Sequence, residues 1–285
     1  MKTAILLATY NGKKYLRDQI ESLYRQTLKG WTLYAADDGS DDGTAELLDE
    51  YARSKDNFVL LPRGDTKMAR LGAKDNFLRL LKEVEADYFF FCDQDDVWRE
   101  DKMEVEMERM LSEESIEESG GRPVVVFSDL YVTDKRMNVI AESFHNYAGI
   151  CPQLLTTFNE AGGVNHVTGC TMLFNRAAKD CVQWSASDAA MHDAWVSLCV
   201  LKAGGRLAYV QKPLVYYRQH SSNTLGATNF GALTMATRLK NMGATLQQLR
   251  ERYRMLRALN YGSWMKFVFY RLLYKFKRMR LRVKI

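Results

Sequence analysis

The sequence predicts an α/β fold with a mostly parallel central sheet that helices cover on both faces. Short apolar segments alternate with longer amphipathic segments through the first half of the 285-residue chain, which is the pattern of βαβ units. The apolar segments are continuous hydrophobic runs, as is typical of strands that are buried on both faces. A hydrophobic content of 47% with 26% charged residues is typical of a globular protein with a large core.

The elements of the first half follow one another in regular alternation. A strand is predicted at residues 3–9 (TAILLAT), and residues 15–28 carry apolar side chains at helical spacing. The strand at residues 31–38 runs into acids and glycines, and Thr44 is the predicted cap of the next helix. The later predicted elements are a strand at 58–62, a helix at 73–84, a strand at 88–92, a helix from Glu100 and a strand at 124–130.

The second half is less regular. Its predicted elements are strands at 166–175 and 207–218 and a helix at 189–205 that ends in two glycines. Beyond His220 the pattern changes to long helices, after a small, polar stretch at residues 221–231. We therefore predict a main domain at residues 1–225 and a helical extension at residues 226–285.

The net charge of +5 is distributed unevenly along the chain. Eight Lys or Arg residues and no acids lie between Trp264 and Ile285, so the rest of the chain carries a net charge of −3. The positive charge is therefore a property of the C-terminal tail. We predict no nucleic-acid partner for the main domain.

The cysteines indicate a reducing compartment. They are odd in number and include no Cys-x-x-Cys pair, so we expect reduced, structural thiols at Cys92, Cys151, Cys170, Cys181 and Cys199. The first apolar run is far shorter than the core of a signal peptide or a spanning helix. We therefore expect a cytoplasmic location.

Polar clusters follow three of the predicted strands, namely TYNG, ADDGSDDG and CDQDDVW. One such cluster is ordinary, because Asp and Gly are common turn residues. Three of them at the carboxyl ends of parallel strands predict a shared ligand site. Asp93 and Asp95 can both reach one Mg²⁺ or Mn²⁺ ion, which would neutralise them beside a phosphate. The alternative is a solvated acidic loop that caps the following helix.

The ordered set ATYNG, DDGSDDGT and an Asp-x-Asp after an aromatic strand resembles the inverting glycosyltransferases of family 2, which have the GT-A fold. The resemblance covers residues 1–220. The motifs DQDDVW, GCTMLFN, HDAW and PLVYYRQHSSN are similar to those of the bacterial rhamnosyltransferase-like subgroup. This resemblance implies a metal-dependent enzyme that takes a sugar from a dTDP- or UDP-sugar, with dTDP-L-rhamnose the best candidate. It implies a lipid-linked bacterial surface glycan as the acceptor.

The resemblance also assigns roles to residues of the donor site. Ala8, Thr9 and Tyr10 would surround the nucleobase, with the Tyr10 ring stacked on it. Asp38 would accept the imide N–H of uracil or thymine. Asp95 would be the main metal-contacting acid and Asp93 the second acid of the pair.

The same resemblance places further residues around the sugar and the diphosphate. Asn76, together with Arg70 and Lys74, would meet the phosphates or the sugar, although the two basic residues could equally be solvated. His220 would approach the metal or the diphosphate. Asp193 would be the catalytic base. One alternative is that Asp193 only caps the helix, and another is that the neighbouring His192 is the base.

The C-terminal tail carries one apolar stripe at helical spacing, formed by Val268, Leu272, Phe276, Met279 and Val283, with Phe269 beside it. The cations of the tail are expected to lie off this stripe. Such a helix favours the interface of an anionic membrane, so we expect peripheral association with the inner face of the cell membrane. The alternative is an amphipathic helix that packs on the domain.

Three other functions compete with glycosyl transfer. A haloacid-dehalogenase-type phosphohydrolase would use Asp93 as nucleophile and Asp95 as general acid, but the second acidic cluster then lies upstream rather than downstream. A sugar-phosphate nucleotidyltransferase would need a glycine-rich, arginine-containing N-terminal signature, which the sequence lacks. A non-catalytic, membrane-docked glycan-binding module would keep the fold without turnover.

Overall fold

The computed structural model describes residues 1–62, 70–116, 121–184, 189–220, 227 and 242–282. The strands are β1 (Thr3–Thr9), β2 (Trp31–Asp37), β3 (Phe58–Leu60), β4 (Tyr88–Cys92), β5 (Val97–Trp98), β6 (Val124–Thr133), β7 (Val139–Ala141), β8 (Met172–Asn175) and β9 (Arg206–Arg218). The helices are α1 (Lys13–Tyr24), α2 (Thr44–Ser54), α3 (Ala73–Glu83), α4 (Lys102–Ser115), α5 (Phe144–Ala148), α6 (Phe158–Gly163), α7 (Arg176–Asp180), α8 (His192–Lys202), α9 (Met242–Ala258) and α10 (Trp264–Arg282).

One mixed sheet runs through the described part of the chain in the order β3-β2-β1-β4-β8-β6-β9-β5, and β7 pairs with β6. The strands β3, β2, β1 and β4 are parallel, as the sequence predicts, and β6 pairs in parallel with β9. Strand β8 is antiparallel to both of its neighbours, β4 and β6. The first half is therefore a parallel βαβ unit, and the second half adds an irregular mixed region beside it.

The side chains of β1 alternate between two cores, one on each face of the sheet. Leu6 belongs to the core that contains residues of α3, α8, α9 and α10. Ile5 and Leu7 belong to the core on the other face, with residues of α1, α2 and α4. Burial on both faces explains why the strands are continuously hydrophobic.

The two C-terminal helices pack into the main core. Met255 and Leu256 of α9, Tyr261 of the connecting turn and Phe267 of α10 are at most 1% exposed and belong to the same core as α3 and α8. The predicted boundary near residue 225 lies outside the described residues, so the division at that point stays a prediction. None of the helices that the structure describes has the length and apolar content that a membrane crossing requires.

Several element ends differ from the predicted ones. Helix α1 ends at Tyr24 rather than at residue 28, and α8 spans a shorter segment than residues 189–205. The strand predicted from residue 166 begins at Met172, after a short 3-10 helix at Gly169–Thr171. This last difference matters for function, because the chain before Met172 is not a strand and its residues Thr168 and Gly169 line the candidate site.

Candidate active site

The ends of β1 and β2 are joined by a side-chain hydrogen bond. Thr9 pairs with Asp37 in the sheet register, and the Thr9 hydroxyl donates to Asp37 Oδ1 at 2.8 Å. The other oxygen of Asp37 accepts the backbone amides of Gly39 and Ser40 at 3.0 and 2.8 Å. Asp37 therefore shapes the turn after β2, which leaves the neighbouring carboxylate of Asp38 to face the site.

Gln94, the middle residue of the Asp-x-Asp segment, joins that segment to the end of β1. Its side-chain oxygen accepts from the Tyr10 amide at 2.8 Å, and its side-chain nitrogen donates to the Tyr10 carbonyl at 2.9 Å. A Cβ atom on Gly12 would lie 2.2 Å from Gln94 Oε1, so a side chain at this position would displace the Gln94 amide from its bonds to Tyr10. Sequence reasoning missed Gln94, and its polar side chain between two acids was the available signal.

Asp38 lies beside Tyr10 and Arg70 at the predicted nucleobase site. Its two oxygens accept the backbone amides of Leu71 and Gly72 at 2.9 and 2.7 Å, and the Arg70 guanidinium lies 3.4 Å away. The same guanidinium lies 3.3 Å from the centre of the Tyr10 ring, over the face that we predicted to stack on the base. A carboxylate has about four lone-pair positions, so Asp38 keeps capacity for one more donor.

Asn76 and Lys74 both have partners within the protein. The Asn76 side-chain amide donates to the Ala36 carbonyl at 2.9 Å and thereby fixes α3 to β2. Asn76 nevertheless lines the cavity described below. Lys74 pairs with Asp75 at 3.2 Å, so its ammonium is already partly neutralised.

The three acids that follow β4 have different environments. Burial, with the nearby charges of Asp95 and Asp193, raises the pKa of Asp93 to about 7. Burial likewise raises the pKa of Asp96, whose Oδ1 accepts the backbone amide of Arg218. The side-chain atoms of Asp93, Asp96 and Cys170 lie within 4.8 Å of one another. Such crowding of acids favours a bound cation or a retained proton.

Asp95 contacts the last residue of the predicted donor site. His220 Nε2 lies 2.7 Å from Asp95 Oδ2, and the His220 ring packs against Tyr15 with ring centres 4.7 Å apart. The Arg218 Nε atom donates to the Asp95 carbonyl at 2.9 Å, which holds the acidic loop against β9. A carboxylate oxygen and an imidazole nitrogen at this distance are chemically suited to share one Mn²⁺ or Mg²⁺ ion. Asp95, His220 and the nearby Asp93 carboxylate therefore fit the predicted metal site.

Asp193 lies in the first turn of α8. Met191 is the N-cap residue of this helix, so Asp193 is not its cap. Its Oδ2 accepts the Gly169 amide at 3.2 Å, and its Oδ1 accepts the Ala194 amide at 2.6 Å. Burial raises the pKa of Asp193 to about 6, whereas these amides and the charge of Arg252 oppose that rise. The carboxylate is ionised near neutral pH and is still basic enough to accept a proton.

His192 is enclosed by aromatic rings. Its ring stacks on Phe77 with centres 4.1 Å apart and meets the edge of Phe91 at 4.8 Å. Neither ring nitrogen has a hydrogen-bond partner within the described structure, and burial lowers the pKa of His192 to about 3. A base this weak is poorly suited to catalysis at neutral pH, which favours Asp193 over its neighbour.

The structure brings almost all of the predicted site residues to one cavity of about 540 Å³. The cavity has the size of a small-molecule site. Predicted residues line it from the ends of β1, β2, β4 and β9, from α3 and the segment before it, and from the start of α8. They are Ala8, Thr9, Tyr10, Asp38, Arg70, Asn76, Asp93, Asp95, His192, Asp193 and His220. Lys74 is not among its lining residues.

Comparison with known proteins identifies the family. The sequence model described as "Glycosyl transferase family 2" matches residues 4–183, which is more than half of the chain. The chain belongs to glycosyl transferase family 2. The predicted enzyme class is thereby confirmed, and the phosphohydrolase alternative is left without support.

Two relatives illustrate what this family member is similar to. The dTDP-rhamnosyl transferase RfbG of Shigella flexneri is 27% identical over 237 residues, which cover 78% of this chain and 74% of that protein. WfgD of Escherichia coli is named a UDP-Glc:alpha-D-GlcNAc-diphosphoundecaprenol beta-1,3-glucosyltransferase, and it is 28% identical over 108 residues. Those residues cover 38% of this chain and 40% of that protein.

Solved structures of glycosyltransferases share the fold of this family 2 member. Residues 1–349 of Staphylococcus aureus TarS in complex with UDP superpose with a TM-score of 0.55 at 18% identity, over 77% of this chain and 61% of that one. The mannosyltransferase PcManGT of Pyrobaculum calidifontis, in complex with GDP-Man and Mn²⁺, has a TM-score of 0.55 at 12% identity over 98% and 80% of the two chains. The expected GT-A-like fold is confirmed, with a mixed rather than mostly parallel second half.

Proposed function

We propose that this enzyme is an inverting, metal-dependent transferase of L-rhamnose from dTDP-L-rhamnose to a lipid-linked bacterial surface glycan. One observation carries the proposal, namely that Asp193 and the Asp93–Asp95 pair line the same cavity. Asp193 lies close enough to raise the pKa of Asp93 through its charge. A base and a cation-binding acid pair that share one site are what inverting transfer from a nucleotide-diphosphate sugar requires.

Asp193 acts as the general base in this proposal. Its carboxylate takes the proton of an acceptor hydroxyl while that hydroxyl oxygen forms a bond to the anomeric carbon of the donor sugar. The bond between the anomeric carbon and the diphosphate oxygen breaks, and its electron pair leaves with the nucleoside diphosphate. Attack opposite the leaving group inverts the anomeric centre. The Gly169 and Ala194 amides hold the carboxylate in place for this step.

Asp95 and His220 would hold the cation, with Asp93 beside them. A divalent cation supplies positive charge that stabilises the departing diphosphate. The short contact between Asp95 and His220 and the repulsion between Asp93 and its neighbours support this assignment. Arg218 keeps the acidic loop in position through its bond to the Asp95 carbonyl.

A pyrimidine nucleotide fits the donor end of the cavity. Asp38 can accept an imide N–H, and Tyr10 offers a ring for stacking once the Arg70 guanidinium moves aside. Arg70 could then turn toward the donor phosphates. The name of the Shigella flexneri relative supports dTDP-rhamnose, and the UDP complex of TarS supports a pyrimidine diphosphate.

A lipid-linked acceptor fits the outward face of α10. The apolar side chains on this face share a 4-3-4-3 spacing and are all exposed, namely Met265, Phe269, Leu272, Phe276 and Met279. The opposite face is buried, because Phe267 is 0% exposed and Tyr274 is 6% exposed. An apolar face of this kind, flanked by Lys275 and Arg280, suits the interface of an anionic membrane. The enzyme would therefore work at the inner face of the membrane, where a lipid-linked glycan is presented.

The stripe differs in part from the predicted one. Val268 is half-buried against the main core and is replaced on the outward face by Met265 and Phe269. Val283 lies outside the described residues. Helix α10 therefore packs on the domain with one face, as the predicted alternative states, and its second, exposed apolar face supports the proposed membrane contact.

Screening donors against purified enzyme tests the proposal. The protein is incubated with Mn²⁺ and either dTDP-L-rhamnose, a UDP-hexose or GDP-mannose, and the released nucleoside diphosphate is measured with and without a lipid-linked glycan. We expect dTDP-L-rhamnose to be consumed fastest and the acceptor to increase that rate. Asp193→Asn should lower transfer by about 10²–10⁴-fold, whereas Asp180→Asn, on the exposed end of α7, should not. Turnover of none of these donors by folded protein would overturn the proposal.

A further inference from the structure

Two arginines of the C-terminal helices hold the short helix α6 through its backbone. Arg252 of α9 donates to the carbonyls of Gly162 and Ala161 at 2.8 and 2.6 Å. Arg271 of α10 donates to the carbonyl of Gly163. Gly163 permits the close approach of Arg271, because a Cβ atom on Gly163 would lie 3.2 Å from Arg271 Cγ.

Neither guanidinium has a carboxylate partner within the described part of the chain. Among the described residues, no Asp or Glu lies within ion-pair distance of Arg252 or Arg271. Lys277, one and a half turns after Arg271 on the same helix, is by contrast neutralised by Glu160 at 2.8 Å. Half-buried positive charges are normally paired, so this pair of arginines lacks an expected anion.

The two positive charges also repel each other. Burial lowers the pKa of Arg252 to about 10, and the charge of Arg271 contributes to that shift. Burial lowers the pKa of Arg271 as well. Both groups remain protonated at neutral pH, so the cluster carries a charge of about +2 that a phosphate would stabilise.

The cluster adjoins the candidate base and keeps hydrogen-bonding capacity. The charge of Arg252 acts on the Asp193 carboxylate and lowers its pKa. A guanidinium has five N–H donors, and within the described structure Arg252 uses two of them and Arg271 uses one. Both side chains are partly accessible to solvent. Arg271 also lies on the helix whose outward face is the exposed apolar stripe.

We propose that Arg252 and Arg271 form an anion site for the diphosphate that links the acceptor glycan to its lipid. This inference rests on the proposed function, because a lipid-linked acceptor is the substrate that brings a phosphate group to this side of Asp193. The lipid chain would leave along the apolar stripe of α10, and the glycan would extend toward Asp193. Arginine is suited to this role, since its planar fork binds phosphate oxygens in pairs.

Direct binding of farnesyl diphosphate tests the site without a sugar or a donor. Affinity is measured by calorimetry on the full chain in the presence of a chelator, so that a metal-dependent donor site does not contribute. We expect Arg252→Met and Arg271→Met each to weaken binding by about 10- to 100-fold, and Arg252→Lys and Arg271→Lys to restore part of it. The matched controls are Arg254→Met, on the exposed side of α9, and Lys277→Met, whose lysine is already paired.

Further measurements separate the outcomes. Inorganic pyrophosphate should bind more weakly than farnesyl diphosphate, and glycerol 3-phosphate, which represents a phospholipid headgroup, should not displace farnesyl diphosphate. The proposal would be overturned by equal binding of pyrophosphate, by displacement with glycerol 3-phosphate, or by an affinity for farnesyl diphosphate that is unchanged in both methionine variants. Thermal stabilisation by dTDP with Mn²⁺ should persist in every variant, which would show that each variant is folded. If this stabilisation were lost only in the arginine variants, the two arginines would belong to the donor-binding site instead, and the proposal would be wrong. Turnover of the donor is measured in a separate experiment. If the wild-type protein turned over no donor but still bound farnesyl diphosphate through these arginines, only the proposed function would be refuted.

Discussion

The backbone amide of Gly169 donates a hydrogen bond to Asp193 Oδ2 at 3.2 Å, across 24 residues of sequence. Gly169 also lies against the neighbouring histidine, since a Cβ atom at this position would be 2.7 Å from His192 Nε2. The 3-10 turn between α6 and β8 therefore positions the candidate base and fits closely around the neighbouring His192.

Gly169→Ala should disturb this arrangement. The added methyl group meets His192, and the turn must shift away from Asp193. Because a small misplacement of a reacting group can cost about 10²-fold, we expect the transfer rate to fall by roughly that factor while the affinity for dTDP stays unchanged. The double variant with His192→Ala, which removes the steric conflict, should recover much of the loss. Additive losses in steady-state kinetics would contradict this explanation.

The transfer rate should fall in acid as Asp193 becomes protonated. Burial raises the pKa of this carboxyl to about 6, so the base is lost as the pH decreases through that value. Arg252 favours the ionised form, and Arg252→Met should therefore move the acid limb to higher pH. The pH profile of kcat at saturating Mn²⁺ measures this shift, with Arg254→Met as the control. An acid limb that is the same in all three proteins would show that another group sets it.

Removal of the cation should abolish transfer without unfolding the protein. Asp95→Asn weakens the acid that contacts His220, so we expect weaker Mn²⁺ binding and a rate at least about 10²-fold lower. Calorimetric titration with Mn²⁺ in the presence of dTDP gives a readout that is independent of activity. Asp101→Asn is a suitable control, because Asp101 pairs with Arg99 and Lys212 away from the cavity. Full activity of the wild type after thorough chelation would exclude the metal role.

Pyrimidine diphosphates should stabilise the protein more than purine diphosphates. Asp38 accepts the imide N–H of a single pyrimidine ring, whereas the larger purine ring of guanine would hold its N–H donors at a different distance from the ribose, so dTDP or UDP at ~100 times Kd should add about 2.7 kcal/mol to the free energy of unfolding. GDP at the same concentration should add much less. Tyr10→Ala should weaken dTDP binding, since stacking on a base contributes about 1–3 kcal/mol. Equal melting shifts with GDP and dTDP would refute the Asp38 assignment.

Membrane binding should depend on the outward face of α10. Deletion of the whole helix would also remove Phe267 and Tyr274 from the core, so surface substitutions are the cleaner change. The double variant Phe269→Ser with Phe276→Ser should float less with liposomes that contain phosphatidylglycerol. The wild type should bind neutral liposomes less than anionic ones, because each cation near an anionic surface contributes about 1 kcal/mol. Leu246→Ser, at an exposed apolar residue of α9, is the matched control. Unchanged flotation of the double variant would show that this face is not the anchor.

The sequence alone determined the parallel first half of the fold and most of the cavity. The polar residues after β1, β2 and β4 are local signals, and parallel strands bring their carboxyl ends to one edge of the sheet. That rule is sufficient to place Tyr10, Asp38, Asp93 and Asp95 together. Asp193 and His220 could be added only through the order of the family's motifs, because no local rule relates α8 or the end of β9 to β4.

The tertiary structure decided the contacts between residues that are far apart in sequence. Helical spacing alone allowed Val268 to lie on the outward face of α10, but the burial of Phe267 and Tyr274 turns it toward the core. The bridge from Gln94 to Tyr10 is equally absent from any local pattern, and so are the positions of Arg252 and Arg271 beside α6, where neither has a carboxylate partner among the described residues. Each of these depends on which surfaces meet when the chain packs, and periodicity within one element does not encode its partner.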